Sequence, residues 1–372
     1  MNRRILLAFL CALLTAASVH AQEKKQKRYL YVVTPGIRNY LEFGGAGILV
    51  FDIDNGHKFV KRIKTPASEE AKPINIKGVC ASAVTKRLYF STLTKLYCVD
   101  LLTEKTLWEK ALPDGCDRMS ITPDGKTLYV PTMEKDHWNI VDARTGDLIT
   151  RIETKSRAHN TVVSLDGTRM YLAGISSPRL PVVDTTTHKI VQTVGPFGHG
   201  IRPFTVNADR SLVYVNVNEL LGFEIGDLKS GKLLHRVEVK GFTSTPKQVK
   251  RHGCPSHGIG LTPDETEVWI CDAANSSMHV FDNTVLPPKQ IASIKVGEQP
   301  GWITFSRDGR WAWPSTGDVI DVKSKKIEHT LTGEDGGEVH SEKIVEIIWI
   351  DGVPVWVGDQ FGVGRKGEKA TP

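Results

Sequence analysis

The chain has 372 residues, of which 40% are hydrophobic and 24% charged, and its formal net charge is +6. That length suffices for two ordinary domains, but no Pro/Ser/Gly-rich linker divides it, so one large domain is expected. The charge surplus is mild and spread along the chain, which argues against nucleic acid as a partner.

Arg3 and Arg4 precede an apolar run over Ile5–Ala17, and Val19-His20-Ala21 supplies small residues where a signal peptidase cuts. Residues 1–21 therefore read as a signal peptide, and the protein as periplasmic or extracellular. The apolar run is shorter than the roughly 20 residues needed to cross a bilayer, so no membrane span is expected after cleavage. Loss of Arg3 and Arg4 lowers the formal charge from +6 to +4. Residues 22–28, with Lys24, Lys25, Lys27 and Arg28, read as a flexible basic leader.

Five cysteines remain after cleavage, at positions 80, 98, 116, 254 and 271. The odd number leaves at least one without an intramolecular partner in an oxidising compartment. Cys254 and Cys271 are candidates for a bridge, because the strand register brings them toward one end of a blade.

From residue 29 onward two landmarks repeat. The first is a turn with Asp, often followed by Gly, before a short strand with a central aromatic. Examples are Asp124-Gly125 before Leu128-Tyr129-Val130, and Asp308-Gly309 before Trp311-Ala312-Trp313. Gly takes the positive φ that such tight turns need. The second is an apolar strand ending in Asp, at 52, 100, 142, 184, 227, 282 and 321. The steps are 48, 42, 42, 43, 55 and 39 residues. Between landmarks the residues alternate with the period of half-buried strands, as in Lys232–Val239. About four short strands per repeat make one propeller blade. The expected fold is all-β, a single β-propeller of about seven four-stranded blades over 29–364, with a disordered tail over 365–372.

Tyr29–Val33 resembles the second strand of a blade whose first strand is missing. Lys343–Ile350 can supply that strand, so that N- and C-terminal strands close the ring and remove an open edge. Val353–Val357 then reads as a further strand or the start of a partial eighth blade. Gly358–Arg365 is expected to pack on the first blade.

Aligned on the hairpin Asp residues, the innermost strands begin near Lys77-Gly78, Asp117-Arg118, His159-Asn160, Arg202-Pro203, His257-Gly258 and Gly301-Trp302. These positions would converge on one funnel, with His199 just before Arg202. Guanidinium groups fit carboxylates and phosphates, and imidazoles carry protons near neutral pH. The insertion over Phe242–Ser256, which accounts for the 55-residue step, carries Lys247, Lys250, Arg251 and His252. The candidate ligand-binding residues are Arg118, His159, Asn160, His199, Arg202, Arg251 and His257. A metal needs three or four converging ligands, and among the rim residues only His159, His199 and His257 could supply them. No metal or other cofactor is assigned. No Gly-x-Ser-x-Gly elbow supports serine hydrolase chemistry, and Asp117 and Asp272 are the carboxylates nearest to an acid/base role.

The repeat carries near-copies of one tetrad, at Tyr31-Val32-Val33-Thr34, Tyr129-Val130-Pro131-Thr132 and Tyr214-Val215-Asn216-Val217. In this it resembles the YVTN-type β-propeller repeat proteins over about 29–332. The resemblance implies the fold and an exported protein; binding modules and surface-layer components share it. The expected function is a monomeric binding module, not an enzyme, for a small anionic ligand or a protein partner. Its contacts would lie at the rim and the 242–256 loop. The alternatives are a propeller enzyme of lactonase or lyase type using rim His and Arg, and a quinoprotein-like redox subunit.

Overall fold

A computed structural model describes residues 25–368; the signal peptide expected over 1–21 lies outside them. Seven antiparallel sheets form the ring, six of four strands and one of five. The innermost strands of blades 2 to 7 are Ile76–Ser82, Ser120–Ile121, Ala158–Val163, Ile201–Val206, Ile259–Leu261 and Ile303–Phe305. Their order around the ring follows the chain, which is the propeller read from the repeat. Among the described residues, no helix is long and apolar enough to cross a membrane.

Burial explains why the repeat was legible. The middle strands are sandwiched between neighbouring blades, so Leu212–Val217 and Gly222–Asp227 are buried almost throughout. The outermost strands are largely exposed: Lys232–Glu238 buries only Val237, whereas Thr106–Ala111 alternates half-buried and exposed residues. Each hairpin Asp ends the third strand of its blade, and six of the seven accept backbone N–H bonds from residues two or three ahead. This is the Asx turn, in which a short carboxylate substitutes for a backbone acceptor. Asp52 departs from the rule: it precedes a short 3-10 turn and pairs with Lys27. The inner turns use a second device, with Thr122, Ser164, Thr262 and Ser306 each donating to the Asp two residues on.

Blade 1 is built from both ends of the chain. Ile344–Ile350 pairs with Gln26–Thr34, from Gln26 opposite Ile350 to Val32 opposite Ile344. Val353–Val357 then adds a fifth strand to the same sheet and begins no eighth blade. The basic leader is shorter than expected, because Gln26, Lys27 and Arg28 belong to the strand Gln26–Thr34 that pairs with the closing strand. Arg28 bonds Glu346 at 2.7 Å and Asp308 at 2.6 Å, tying blade 1 to blade 7.

The segment after Val357 differs most from expectation. It lies along the channel, touching blades across the ring. The Gln360 side chain accepts from Val79 N at 2.9 Å, and its backbone carbonyl accepts from Trp302 Nε1. Gly362 O accepts from Leu261 N at 2.9 Å and from Thr205 Oγ1 at 2.8 Å, while Gly364 N donates to Val206 O. Gly362 has φ of 59°, and a Cβ there would stand 2.8 Å from the Gly260 Cα. The close approach of the two backbones requires glycine. Arg365, assigned above to the disordered tail, is held at 2.8 Å by Asp359; residues 369–372 lie outside those described.

All five described cysteines are free and buried, so the Cys254–Cys271 bridge is not formed. Burial pushes the Cys254 thiol up to about 12, which keeps it protonated and unreactive.

A second link between blades 1 and 7 is His57, whose Nε2 accepts from Trp313 Nε1 at 3.0 Å. Indole N–H only donates, so this nitrogen must be unprotonated. Burial, helped by neighbouring His329, pulls the imidazole down to about 3. The unfolded chain therefore binds the proton more readily, and stability is lost as pH falls from about 6.5 towards 3. His57 is expected to contribute on the order of 3 kcal/mol of that loss by pH 4. In denaturant unfolding at a series of pH values, His57→Gln should show a correspondingly shallower decline than wild type. Parallel profiles would count against it.

Candidate functional site

Every rim pair read from the sequence lies within the first three residues of an innermost strand or the three residues before it. The seventh pair, which the alignment on hairpin Asp residues missed, is Glu342-Lys343. It precedes Ile344 in the strand that the C-terminus lends to blade 1. The strand expected over Lys343–Ile350 reached this position, but neither residue was read as part of the rim.

These positions enclose a polar cavity of about 90 Å³ at one mouth of the channel. Its lining includes Lys77, Arg118, His159, Arg202, His257, Glu342 and Lys343, and the insertion loop contributes Arg251 and His252. Below it the C-terminal segment occupies the channel. On the opposite face a separate cavity of about 330 Å³ lies among the inner turns and Trp356. The segment thus makes the mouth a closed pocket and not the opening of a pore.

Two buried carboxylates organise the site. Asp117 is fully buried and touches Lys77 at 3.5 Å, Arg118 at 3.1 Å and His159 Nδ1 at 2.8 Å. Burial raises its carboxyl, but the charges of Lys77, His159 and Arg118 outweigh this and hold it well below the ordinary range. Glu342 accepts on Oε2 from Arg118 Nη2 at 2.5 Å and from Lys343 Nζ at 2.7 Å. Burial again opposes ionisation, and Lys343 and Arg118 again overcome it. Burial also pulls the Lys343 ammonium down, to about 7, against the attraction of Glu342.

Arg118 therefore spans the two carboxylates and stacks 4.8 Å from the Trp302 ring centroid. Its fork is committed within the protein, and only Nε lacks a partner. His159 is similar: burial pulls it down to about 4, in spite of Asp117. Its Nδ1–H donates to Asp117, so its buried Nε2, which has no partner, carries a bare lone pair.

The remaining candidates divide. Arg202 reaches the cavity, with Nε on Asn218 Oδ1 at 2.5 Å and Nη2 on Gly253 O at 3.3 Å. Arg251 reaches it from the loop, bonded to Glu298 and lying over Tyr40 and Phe43. Asn160 is buried with both side-chain amide atoms unpartnered, but it does not line the cavity. His199 is half exposed, 3.6 Å from Glu219 and outside the cavity. The offset from the strand start places it in the preceding loop and not on the funnel wall.

The histidines weighed for a metal, His159, His199 and His257, do not converge as a set. His252, His257 and Glu342 do: all three are buried and their ligand atoms lie within 4.8 Å of one another. Asp272 is committed elsewhere, to His279 Nε2 at 3.0 Å and Asn275 Nδ2 at 2.7 Å. His279 in turn bonds exposed Ser293 at 2.9 Å. That chain lies on the middle and outer strands of blade 6, away from the channel.

No family model and no curated protein matches the chain. Among solved structures it is similar to hydrazine synthase of Kuenenia stuttgartiensis, at 15% identity and a TM-score of 0.44. That similarity covers 67% of this chain and 93% of the other. A likeness of this degree carries no argument about function.

Proposed function

We propose that the protein is an exported binding module that holds a small anion in the closed cavity at the mouth of its channel. The observation that carries this reading is charge. The lining holds six Lys or Arg side chains, including Arg38, Lys77, Arg202 and Arg251, against Glu134 and Glu342. Adding neighbouring Asp117 still leaves a cationic surplus, gathered at one mouth of the channel. The size fits a small ligand: about 90 Å³ is far below the roughly 300–1,000 Å³ of sites for drug-sized molecules. The same figure gives no support to a quinone cofactor at this place. The resemblance to YVTN-type repeats and the leader over 1–21 fit an exported binding protein.

The reading is tested by thermal unfolding and calorimetry with phosphate, sulfate, acetate and oxalate as probes. At least one probe is expected to stabilise the mature chain. Arg202→Met should weaken that binding by about tenfold, the worth of one charge-assisted hydrogen bond. The exposed control Lys126→Met should leave it unchanged. No stabilisation by any probe, or equal binding by Arg202→Met, would count against an anion site.

One observation favours a second reading, an enzyme of lactonase or lyase type. His159 lines the cavity, is buttressed by Asp117 and keeps a buried, unpartnered Nε2 with a free lone pair, as a general base does.

A further inference from the structure

His252 and His257 each have one ring nitrogen facing a backbone carbonyl. His252 Nε2 stands 2.8 Å from Gln299 O, and His257 Nδ1 stands 2.9 Å from Gly301 O. A carbonyl only accepts, so both nitrogens carry hydrogen and donate. The other nitrogens, His252 Nδ1 and His257 Nε2, are left as lone pairs in the neutral rings. Carbonyl buttressing of this kind fixes the tautomer of metal-ligating histidines.

Those two nitrogens face a carboxylate. His252 Nδ1 is 3.1 Å from Glu342 Oε1, and the three groups lie within 4.8 Å of one another. Arg118 and Lys343 both sit on Oε2, which leaves Oε1 turned towards the imidazoles. A lone pair and a carboxylate oxygen repel each other at that distance unless something positive lies between them. Two donors on a tetrahedral ion, each at about 2.1 Å, stand about 3.4 Å apart, close to the 3.1 Å between His252 Nδ1 and Glu342 Oε1, and the wider spread of the set closes by a small shift of His257.

We propose that His252, His257 and Glu342 form a binding site for a divalent transition-metal ion of the zinc class. Two imidazoles and one carboxylate oxygen suit Zn²⁺, whereas Ca²⁺ and Mg²⁺ need a larger set of oxygen ligands. Three protein ligands leave a fourth position open, and the cavity supplies the space for water or a small anion there. The site joins three parts of the chain: the insertion loop, the start of blade 6 and the closing segment of blade 1. It shares Glu342 and the cavity with the anion reading, whose surplus of Lys and Arg opposes a cation, and the metal titration is read apart from any anion.

A metal-free alternative exists in the same geometry, in which His252 is doubly protonated and pairs with Glu342. The experiment separates the two. The mature chain is stripped with a chelator and titrated with zinc chloride by calorimetry, and with cobalt chloride by visible absorption. One zinc per chain is expected, with the visible bands of a tetrahedral cobalt site. His257→Ala should lose affinity by about tenfold or more, as should His252→Ala, each checked by circular dichroism for an intact fold. His199→Ala, outside the cavity, should bind as wild type. Absence of zinc binding by wild type overturns the proposal, and so does binding that is undiminished in both folded cavity variants.

Discussion

A chain that stops at Lys343 is expected to lose its cooperative unfolding transition and to aggregate or run as an expanded species on gel filtration. The removed strand Ile344–Ile350 pairs with seven residues of Gln26–Thr34, and its loss opens a long apolar edge inside blade 1. Val345 and Ile347 are fully buried among Tyr31, Val33, Val79 and Leu88, so the interface between blades 1 and 2 loses its packing as well. Arg28 loses Glu346, and blades 2, 5, 6 and 7 lose the segment they share in the channel. A single truncation, Ile347→Ala, probes the same interface more gently and should destabilise the protein by about 2–5 kcal/mol. A monomeric shortened chain that melts like the full one would show that the ring holds without its closing strand.

Asp117→Ala is expected to destabilise the protein by about 3–5 kcal/mol, the usual result of removing one partner from a buried charge network. Asp117 is inaccessible to water and faces Lys77, Arg118 and His159 at once. Arg118 keeps Glu342 after the change, but Lys77 loses a counter-charge while remaining buried. His159 also loses the acceptor that orients its ring. Asp117→Asn should be milder, because the amide oxygen still accepts a hydrogen bond from His159 while the charge is gone. Denaturant unfolding of the three proteins at neutral pH measures both effects. A loss below about 1 kcal/mol for Asp117→Ala would mean that water enters the site and screens the cations.

The parts of the structure legible in the sequence are those governed by short-range chemistry. Six of the third strands end in an Asp that accepts from backbone N–H groups two or three residues ahead. Asp100, Asp142, Asp184, Asp227, Asp282 and Asp321 do so. Arg118, His159, Arg202 and His257 stand six or seven residues before the turn residues Asp124, Asp166, Asp209 and Asp264, which is why the rim was found as a set. The pairing of the two termini was also within reach, because one blade lacked a strand and one strand lacked a blade.

What sequence could not reach depends on long-range packing. His252 takes its position from Gln299 and from the Arg251–Glu298 contact, both 47 residues away. His199 and Arg202 differ by three residues in one loop, and only the tertiary path turns one outward and the other inward. Gly358–Arg365 has no periodicity, since its bonds go to strands of five different blades. By itself, then, the sequence determined the repeat, the number of blades, the closing strand and most of the rim, because turns and strand alternation act over a few residues. Only the tertiary structure decided that Glu342 and Lys343 complete the rim, that Arg118 is bound to two carboxylates, and that the channel is filled from within. Those features depend on which groups burial forces together across the ring, and no local pattern records that.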